Sequence, residues 1–521
     1  MTEKENKNKN NLKVAYKKIL DVLSRDNLLI EHNIKNSDLT EEIEFIAYNS
    51  KNVIEKNTLF LCKSLDFKEE YLIDAIKKGA VCYVSPKKYG CDYNCENIKY
   101  IIVNNIRRAV ALIAPLYYDY PYKDLNLIGV TGTKGKTTVA YFIKNILDEY
   151  TKSKTGLITS IENYTGKRHE ESDRSTPEPC DLQELFYEAK ESNIKYLTME
   201  VSSQAYKMDR VYDIKFNSGI FMNIAEDHIS PAEHKDFEDY FNCKLEFMKN
   251  CSNIVINRET DYFERVLEAA KNSETLKQIT LFGSEKVKDE CDYYYDINNI
   301  KKDKDGLVFY INNEKLNYRE KFEIKTFGLF NIENAAAAVS VCKTLGIDDE
   351  SIRKGLVKTK VPGRMAIFAN EKSGVTVIVD YAHNLLSYIR LYESLKLDYA
   401  GRRIISVGGT PGNKAPGRRK DFANIVGKNS DYIYLTSDDP NYEDTVKICE
   451  EIAGYMPDCY SDKYEIIPDR VAAVTKAVKS AQPGDVIALI GKGAENYQKI
   501  NGKPERYECD LNLAQRLLFE K

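Results

Sequence analysis

LNLIGVTGTKGKTTVAYFIKNIL, residues 125–147, is the stretch whose reading decides the fold. Leu127, Ile128 and Val130 form a short apolar run suited to a buried strand. Gly132, Thr133, Lys134, Gly135, Lys136, Thr137 and Thr138 follow as a small-residue loop, whose glycines let backbone N–H groups close on phosphate oxygens. Val139, Phe142, Ile143 and Ile146 then recur at helical spacing, so a helix N-terminus points its positive dipole end at the same phosphates. In such a loop Lys136 reaches the terminal phosphates and Thr137 holds Mg²⁺. Val130 stands where the general phosphate-loop pattern has its first glycine. A Gly/Thr-rich turn between a strand and a helix is the competing reading. Strand, loop, Lys-Thr pair and helix together favour ATP or GTP.

Outward from the loop, the totals set bounds. A chain of 521 residues exceeds one core and suggests roughly three domains. The net charge of −4 gives no bulk attraction to nucleic acid or anionic membrane, so neither is expected as a partner. Cys91 and Cys95 lack the C-x-x-C spacing of a metal or redox site, and the twelve cysteines read as free thiols of a reducing compartment. The opening MTEKENKNKNN is polar, without the apolar core of a signal peptide, and residues 1–10 are expected to be a disordered tail. No run approaches the ~20 apolar residues of a membrane span. A cytoplasmic protein without membrane insertion is expected.

Residues 12–24 carry an amphipathic helical pattern. Strand-like EFIAY, TLFLCKS, VCYVS and YIIV then alternate with helical YLIDAIKKG, an α/β arrangement, and a helix stopping near Pro121 closes the first domain at 11–122. The second domain, 123–360, holds the phosphate loop. In it Ser175-Thr176-Pro177 precede a helix, a cap signal on its own. The strand YLTME ends in Glu200, followed by Ser202 and Ser203. A carboxylate at a strand's carboxyl end is where a Mg²⁺ ligand belongs, although a surface glutamate fits the spacing too. Asn223, Asp227 and His228 form a further polar cluster, and Lys244 lies among Leu245, Phe247 and Met248, where a snorkelling lysine would also fit. Asn331 and Asn334 share one face at the start of an Ala-rich helix, and capping accounts only for the first. The third domain, 361–521, has buried strands VTVIVD, RRIISVGG, YIYLTSD and VIALIGKG. Their carboxyl ends carry Asp380, Gly408-Gly409, Asp438-Asp439-Pro440-Asn441 and Gly491-Lys492-Gly493-Ala494-Glu495, where open α/β sheets bind ligands.

In this order TGTKGKTT, STP, MEVSSQA, a DH followed by Y-x-x-x-K, FNIEN, VPGR, DYAH, SDDP and GKGAENYQ resemble the Mur ligases from about residue 49 to 498. The resemblance implies an α/β fold of three domains: an N-terminal domain for a UDP-sugar, a central P-loop ATPase with a mostly parallel sheet, and a Rossmann-like C-terminal domain. It implies that ATP and Mg²⁺ serve to phosphorylate the terminal carboxylate of UDP-MurNAc-L-Ala-D-Glu; a monomer is expected. A free diamino acid then attacks the acyl phosphate. By motif position Lys136, Lys244, Glu200, His228 and Arg364 are catalytic, and Thr137, Glu200 and His228 are metal ligands. The nucleotide meets Gly132, Thr133, Gly135, Lys136, Thr137, Thr138, Asn331, Asn334, Arg364 and Asp380. Lys244 matches the lysine that the family carbamoylates. Substrate contacts fall on Ser50, Ser175, Thr176, Pro177, Ser202, Arg210, Asp438, Asp439, Asn441, Gly491 and Glu495.

Departures from the family pattern are informative. Lys134 replaces an Asn of the loop and is expected to face solvent or the nucleotide phosphates. Relatives that add meso-diaminopimelate have Arg where this chain has Asn441, and that fork holds the distal carboxylate. With Asp438, Asp439, Glu443 and Asp444 nearby, the loop suits the ammonium of L-lysine. Arg418 or Arg419 could still serve a second carboxylate. A folate-directed amide ligase of the same superfamily and a non-catalytic nucleotide-binding paralogue are the alternatives. Lys136→Ala is expected to abolish ATP-dependent turnover while Lys134→Ala retains it; equal losses in a steady-state ADP-release assay would mean the loop is misread.

Overall fold

The computed structural model describes residues 12–53, 56–63, 67–90, 98–227, 229–230, 233–303, 306–413 and 417–519. The tail expected at 1–10, the Cys91/Cys95 pair and His228 lie outside them. The described chain is mixed α/β and packs as two compact units. One comprises the described residues within 12–128, 155–158 and 162–217, and the other those within 129–154, 159–161 and 218–519.

The first unit opens with a helix at Tyr16–Arg25, four residues later than its periodicity suggests, because Val14–Ala15 pair instead with Glu42–Ile43 as a short antiparallel ribbon. Four strands, Phe45–Ala47, Thr58–Leu61, Ala80–Ser85 and Lys99–Val103, run parallel, and Leu29–His32 adds antiparallel at one edge. The near-continuous apolar character of these strands follows from burial on both faces. One face packs on Ile19, Leu23, Leu112 and Ile113, the other on Val53, Leu72 and Ala75. The helix Ile106–Tyr117 ends before Pro121 and tolerates Pro115 near its C-terminus. Further on, Tyr196–Glu200 runs parallel to Gly156–Ile158 and delivers Glu200 at its carboxyl end. Pro179 opens the helix Pro179–Glu191, where its missing N–H costs nothing.

The strand Asn126–Thr131 carries the chain into the second unit, where the phosphate loop leads to the helix Lys136–Thr151. That helix meets Asp349–Lys358 at Gly355, where an added Cβ would lie 2.3 Å from the Ile146 Cα, so only glycine permits the crossing. Cys251–Asn257 and Gln278–Ser284 pair in parallel, and Gly306–Asn313 with Tyr318–Ile324 forms an antiparallel hairpin. The C-terminal six-stranded sheet has the order Ala366–Asn370, Val375–Asp380, Val486–Ile490, Ile404–Gly408, Tyr432–Leu435 and Tyr464–Ile466. All but the first run parallel, and apolar clusters cover both faces. Its parallel direction brings Asp380, Gly408, Thr436 and Gly491 to one rim. No helix among the described residues is long and apolar enough to cross a membrane.

Candidate active site

In the phosphate loop, backbone conformation and neighbours restrict the residue types. Gly132 has φ +147°, and a Cβ there would meet Met222 Cβ at 2.8 Å. Gly135 has φ +90° and caps the helix; its missing Cβ leaves room for Asn334 Oδ1, 2.4 Å from where that Cβ would be. Asn223, one of the polar cluster seen in the sequence, holds the loop from the side. Its backbone carbonyl accepts from Thr133 N at 2.9 Å, its Oδ1 accepts from Lys134 N at 2.8 Å, and its Nδ2 donates to the Lys134 carbonyl at 3.2 Å. Thr133 Oγ1 accepts from Ala225 N at 3.0 Å and lies 3.0 Å from the Tyr240 hydroxyl. Thr137 Oγ1 is 3.3 Å from Ser160 Oγ, and Thr138 is buried.

Two lysines converge on this loop. Lys136 Nζ donates to the Gly132 carbonyl at 2.9 Å and to that of Thr133 at 3.3 Å. Lys244 Nζ donates to the same Gly132 carbonyl at 2.9 Å and stands 4.9 Å from the Tyr240 ring centre. Lys244 is therefore no snorkelling surface lysine: the residue is 2% exposed. Burial first, and then the Lys136 charge, push its ammonium well below the usual lysine range, partly countered by Asp227. A neutral amine beside a phosphate loop is a nucleophile that can take up CO₂ and become an anionic oxygen ligand.

Lys134 is turned from solvent towards Asp227, 3.6 Å away. Burial pushes it down to about 7, against the pull of Asp227. Asp227 also accepts from Arg418 at 2.9 Å and from Asn384 Nδ2 in a short bond, so one acid gathers the phosphate loop and two C-terminal segments. Asn384 meanwhile caps the helix Leu385–Asp398 with Ser387 in a capping box. Asp380 accepts from Met365 N at 2.8 Å; burial raises its carboxyl, with Arg364 opposing. The Arg364 guanidinium lies 4.2 Å from the Tyr381 ring centre. Asn331 is no cap: its Nδ2 donates to the Phe327 carbonyl at 2.7 Å, while its Oδ1 accepts from Asn334 Nδ2 at 3.0 Å. Asn334 Oδ1 is left buried without a hydrogen-bond partner against Gly135. An orphaned buried acceptor beside a glycine-lined loop fits a nucleotide with N–H donors.

At the C-terminal rim, Asn441 adopts φ +53°, which asparagine tolerates, and its Nδ2 donates to the carbonyls of Gly412 at 2.9 Å and Asp439 at 3.2 Å. The four acids of this loop have different engagements. Glu443 accepts from Arg419, and Asp444 caps the helix Thr445–Gly454. Asp439 pairs at 2.8 Å with Lys492, a fully buried cation that also binds Glu495. Asp438 lies against Gly491, where a Cβ would sit 2.7 Å from its Oδ2. Burial raises Asp438 to about 6, with Lys492 opposing. Behind the rim Arg470 donates to the carbonyls of Ser437 at 2.9 Å and Ile490 at 2.8 Å, and forks onto Asp510. It thereby ties together the loops bearing Asp438 and Gly491. Arg470, Lys492 and Asp227 carried no local signal of these roles: Asp510, Asp439 and the pair Asn384 and Arg418, which they respectively meet, lie far away in sequence.

The first unit holds the remaining candidates. Thr176 Oγ1 donates to the Glu200 carbonyl at 3.0 Å and accepts from Ser202 N at 3.1 Å, joining the STP and double-serine segments. Arg210 donates to the Thr176 carbonyl at 3.2 Å and pairs at 2.9 Å with Glu178, which Lys63 and Arg174 also contact closely. Ser175 is half-buried, while Pro177 and Glu200 are buried. Ser50 is buried in a short turn after Phe45–Ala47, its carbonyl accepting from Lys78 Nζ at 3.0 Å.

Residues 130–342 match the family described as Mur ligase middle domain, and 363–493 that described as Mur ligase, glutamate ligase domain. The UDP-N-acetylmuramyl-tripeptide synthetase of Ligilactobacillus salivarius is 37% identical over 516 residues, 96% of this chain and 99% of that one. The chain belongs to the Mur ligases. This ligase is similarly 38% identical to the UDP-N-acetylmuramoyl-L-alanyl-D-glutamate--L-lysine ligase of Enterococcus faecalis, across 96% of this chain and 98% of the relative. A solved UDP-N-acetylmuramoyl-L-alanyl-D-glutamate--2,6-diaminopimelate ligase superposes with a TM-score of 0.65 at 21% identity, covering 97% and 99% of the two chains, a likeness of fold. The protein is thus an ATP-dependent acid–amino-acid ligase of peptidoglycan synthesis with the three-domain α/β fold of its family.

The raised Asp438 carboxyl sets a pH dependence. It is charged above about 6 and neutral below. The KM for a cationic amino acid should therefore rise as pH falls through about 6, with KM for ATP little changed. Asp438→Asn should raise that KM at neutral pH and flatten its profile; an unaltered profile would remove Asp438 from amino-acid binding.

Proposed function

We propose that this ligase adds L-lysine to UDP-MurNAc-L-Ala-D-Glu through an acyl phosphate. The substrate's terminal carboxylate takes the γ-phosphoryl group of ATP and releases ADP. The amine of lysine then attacks the carbonyl carbon, phosphate leaves, and the surplus amine proton passes to solvent. In this reading residues 11–122 bind the UDP-sugar, 123–360 bind ATP, and 361–521 bind the amino acid. Ser50, Ser175, Thr176, Pro177, Ser202 and Arg210 serve the muramyl substrate.

Lys136 and Arg364 offset negative charge on the transferring oxygens. Asn334 orients the nucleotide, and Asn331 orients Asn334. The hydroxyl of Thr137 and the carboxylate of Glu200 are oxygen donors of the kind Mg²⁺ selects, and we assign them that role together with His228. A carbamate on Lys244 would add anionic oxygens to the set. When bound, Mg²⁺ supplies charge neutralisation at the phosphates. We place the enzyme in the cytoplasm, acting as a monomer on these two substrates and ATP.

The choice of lysine over meso-diaminopimelate rests on one observation: both nearby guanidinium groups face protein carboxylates. Arg418 binds Asp227, while Arg419 binds Glu443 and Glu451. Asn441, which carries no charge, is committed to two backbone carbonyls. A second carboxylate would thus meet Asp438, Asp439 and Glu495, whose three charges Lys492 offsets only once. A side-chain ammonium meets favourable charge there. ADP release from purified enzyme with UDP-MurNAc-L-Ala-D-Glu, ATP and an amino-acid panel should show kcat/KM for L-lysine at least tenfold above meso-diaminopimelate. Preference for diaminopimelate would refute the assignment, and turnover only with a folate acceptor would refute the substrate class.

A further inference from the structure

The helix Phe237–Lys249, which bears Lys244, also carries donors that the ligase reaction does not use. Asp239 and Cys243 stand at i and i+4 and so share a helix face. His234, from the segment before the helix, closes on them: its Nδ1 lies 2.9 Å from Asp239 Oδ2. One imidazole nitrogen, one carboxylate oxygen and the Cys243 Sγ all fall within 4.8 Å of one another. We propose that His234, Asp239 and Cys243 form a binding site for a borderline-soft divalent metal of the Zn²⁺ type, separate from the metal that accompanies ATP.

Three features carry this. The first is ligand chemistry. Nitrogen, oxygen and sulfur donors together select Zn²⁺ or Co²⁺, whereas Mg²⁺ takes oxygen ligands and keeps its waters. The second is spacing. Zn–N and Zn–O bonds of about 2.0–2.2 Å and Zn–S bonds of about 2.3 Å put tetrahedral ligands roughly 3–4 Å apart, and the three donor atoms here all lie within 4.8 Å of one another.

The third is support behind the ligands. His234 is fully buried, its ring stands 5.3 Å from that of Tyr240, and its carbonyl accepts from Ser230 N at 3.0 Å. Lys235 N donates to Asp239 Oδ2 at 3.3 Å, and the Asp236 side chain accepts from Asp239 N at 2.8 Å, fixing the acid's backbone. Such outer contacts orient ligands and limit reorganisation on binding. Cys243 is only half-buried, which gives an ion a way in.

Binding replaces the His234–Asp239 hydrogen bond: one imidazole nitrogen offers its lone pair to the metal, and a proton held between the two groups passes to solvent. Cys243 loses its thiol proton to solvent and binds as thiolate, so affinity increases with pH. Three protein ligands leave a fourth position for water.

Full-length reduced protein, with exposed Cys459 changed to Ser and excess Mg²⁺ present, should be titrated with Co²⁺ and then Zn²⁺. One Co²⁺ should bind with a thiolate-to-metal charge-transfer band that Zn²⁺ abolishes. Cys243→Ser should remove the band, and Asp239→Asn should weaken Zn²⁺ at least tenfold, with unchanged circular dichroism checking the fold. A band that persists in Cys243→Ser, undiminished affinity in Asp239→Asn, or no stoichiometric binding to the parent would overturn the site.

Discussion

A single carbonyl oxygen governs the ATP-binding half of this enzyme. The Gly132 oxygen accepts from Lys136 and from Lys244, each at 2.9 Å, so the two nitrogens lie within about 6 Å of one another. At an effective dielectric near 20, two positive charges at that distance repel by roughly 3 kcal/mol. Lys136 is half-buried at the start of its helix. Lys244 is buried, and its environment favours the neutral amine. In the proposed mechanism the two lysines, alike in sequence, take different roles: Lys136 serves the phosphates and Lys244 offers a nucleophilic amine.

Keeping that carbonyl in place requires much of the second unit. Asn223 clamps the loop backbone, Tyr240 reaches Thr133, and Asn334 fills the space left by the missing Gly135 side chain. Asp227 extends the arrangement to Asn384 and Arg418, coupling the phosphate loop to the C-terminal sheet. At the far rim Arg470 plays a comparable part. Its buried guanidinium holds two backbone carbonyls at fixed separation, and Asp510 offsets its charge. In the proposed reaction, recognition of the amino acid rests on net charge, with Lys492 paired to Asp439 and Glu495 of the acidic cluster.

The phosphate loop, the strand carrying Glu200 and the C-terminal strand ends were legible because each is local, an apolar run followed by polar residues at its carboxyl end. Lys244 was harder. Apolar neighbours suggested burial, but a snorkelling lysine has the same pattern until Gly132 is seen opposite it. The Asp227 contacts span 157 and 191 residues, and Arg470 meets Asp510 across 40; no periodicity encodes such pairings. Lys134 shows the same limit. Its position in the loop suggested solvent or phosphate, whereas Asp227, brought in by tertiary packing, captures it. The acidic loop was read by composition, which could not tell the cap Asp444 and the Arg419 partner Glu443 from the acids at the rim.

The central claim is that burial, reinforced by the Lys136 charge beside the same Gly132 carbonyl, makes Lys244 a neutral amine able to form a carbamate. The direct measurement is ¹³C NMR of the enzyme equilibrated with ¹³C-bicarbonate. The account predicts one carbamate resonance in the parent protein and none in Lys244→Ala. A parent enzyme that turns over without any carbamate resonance, or a resonance that survives Lys244→Ala, would contradict it.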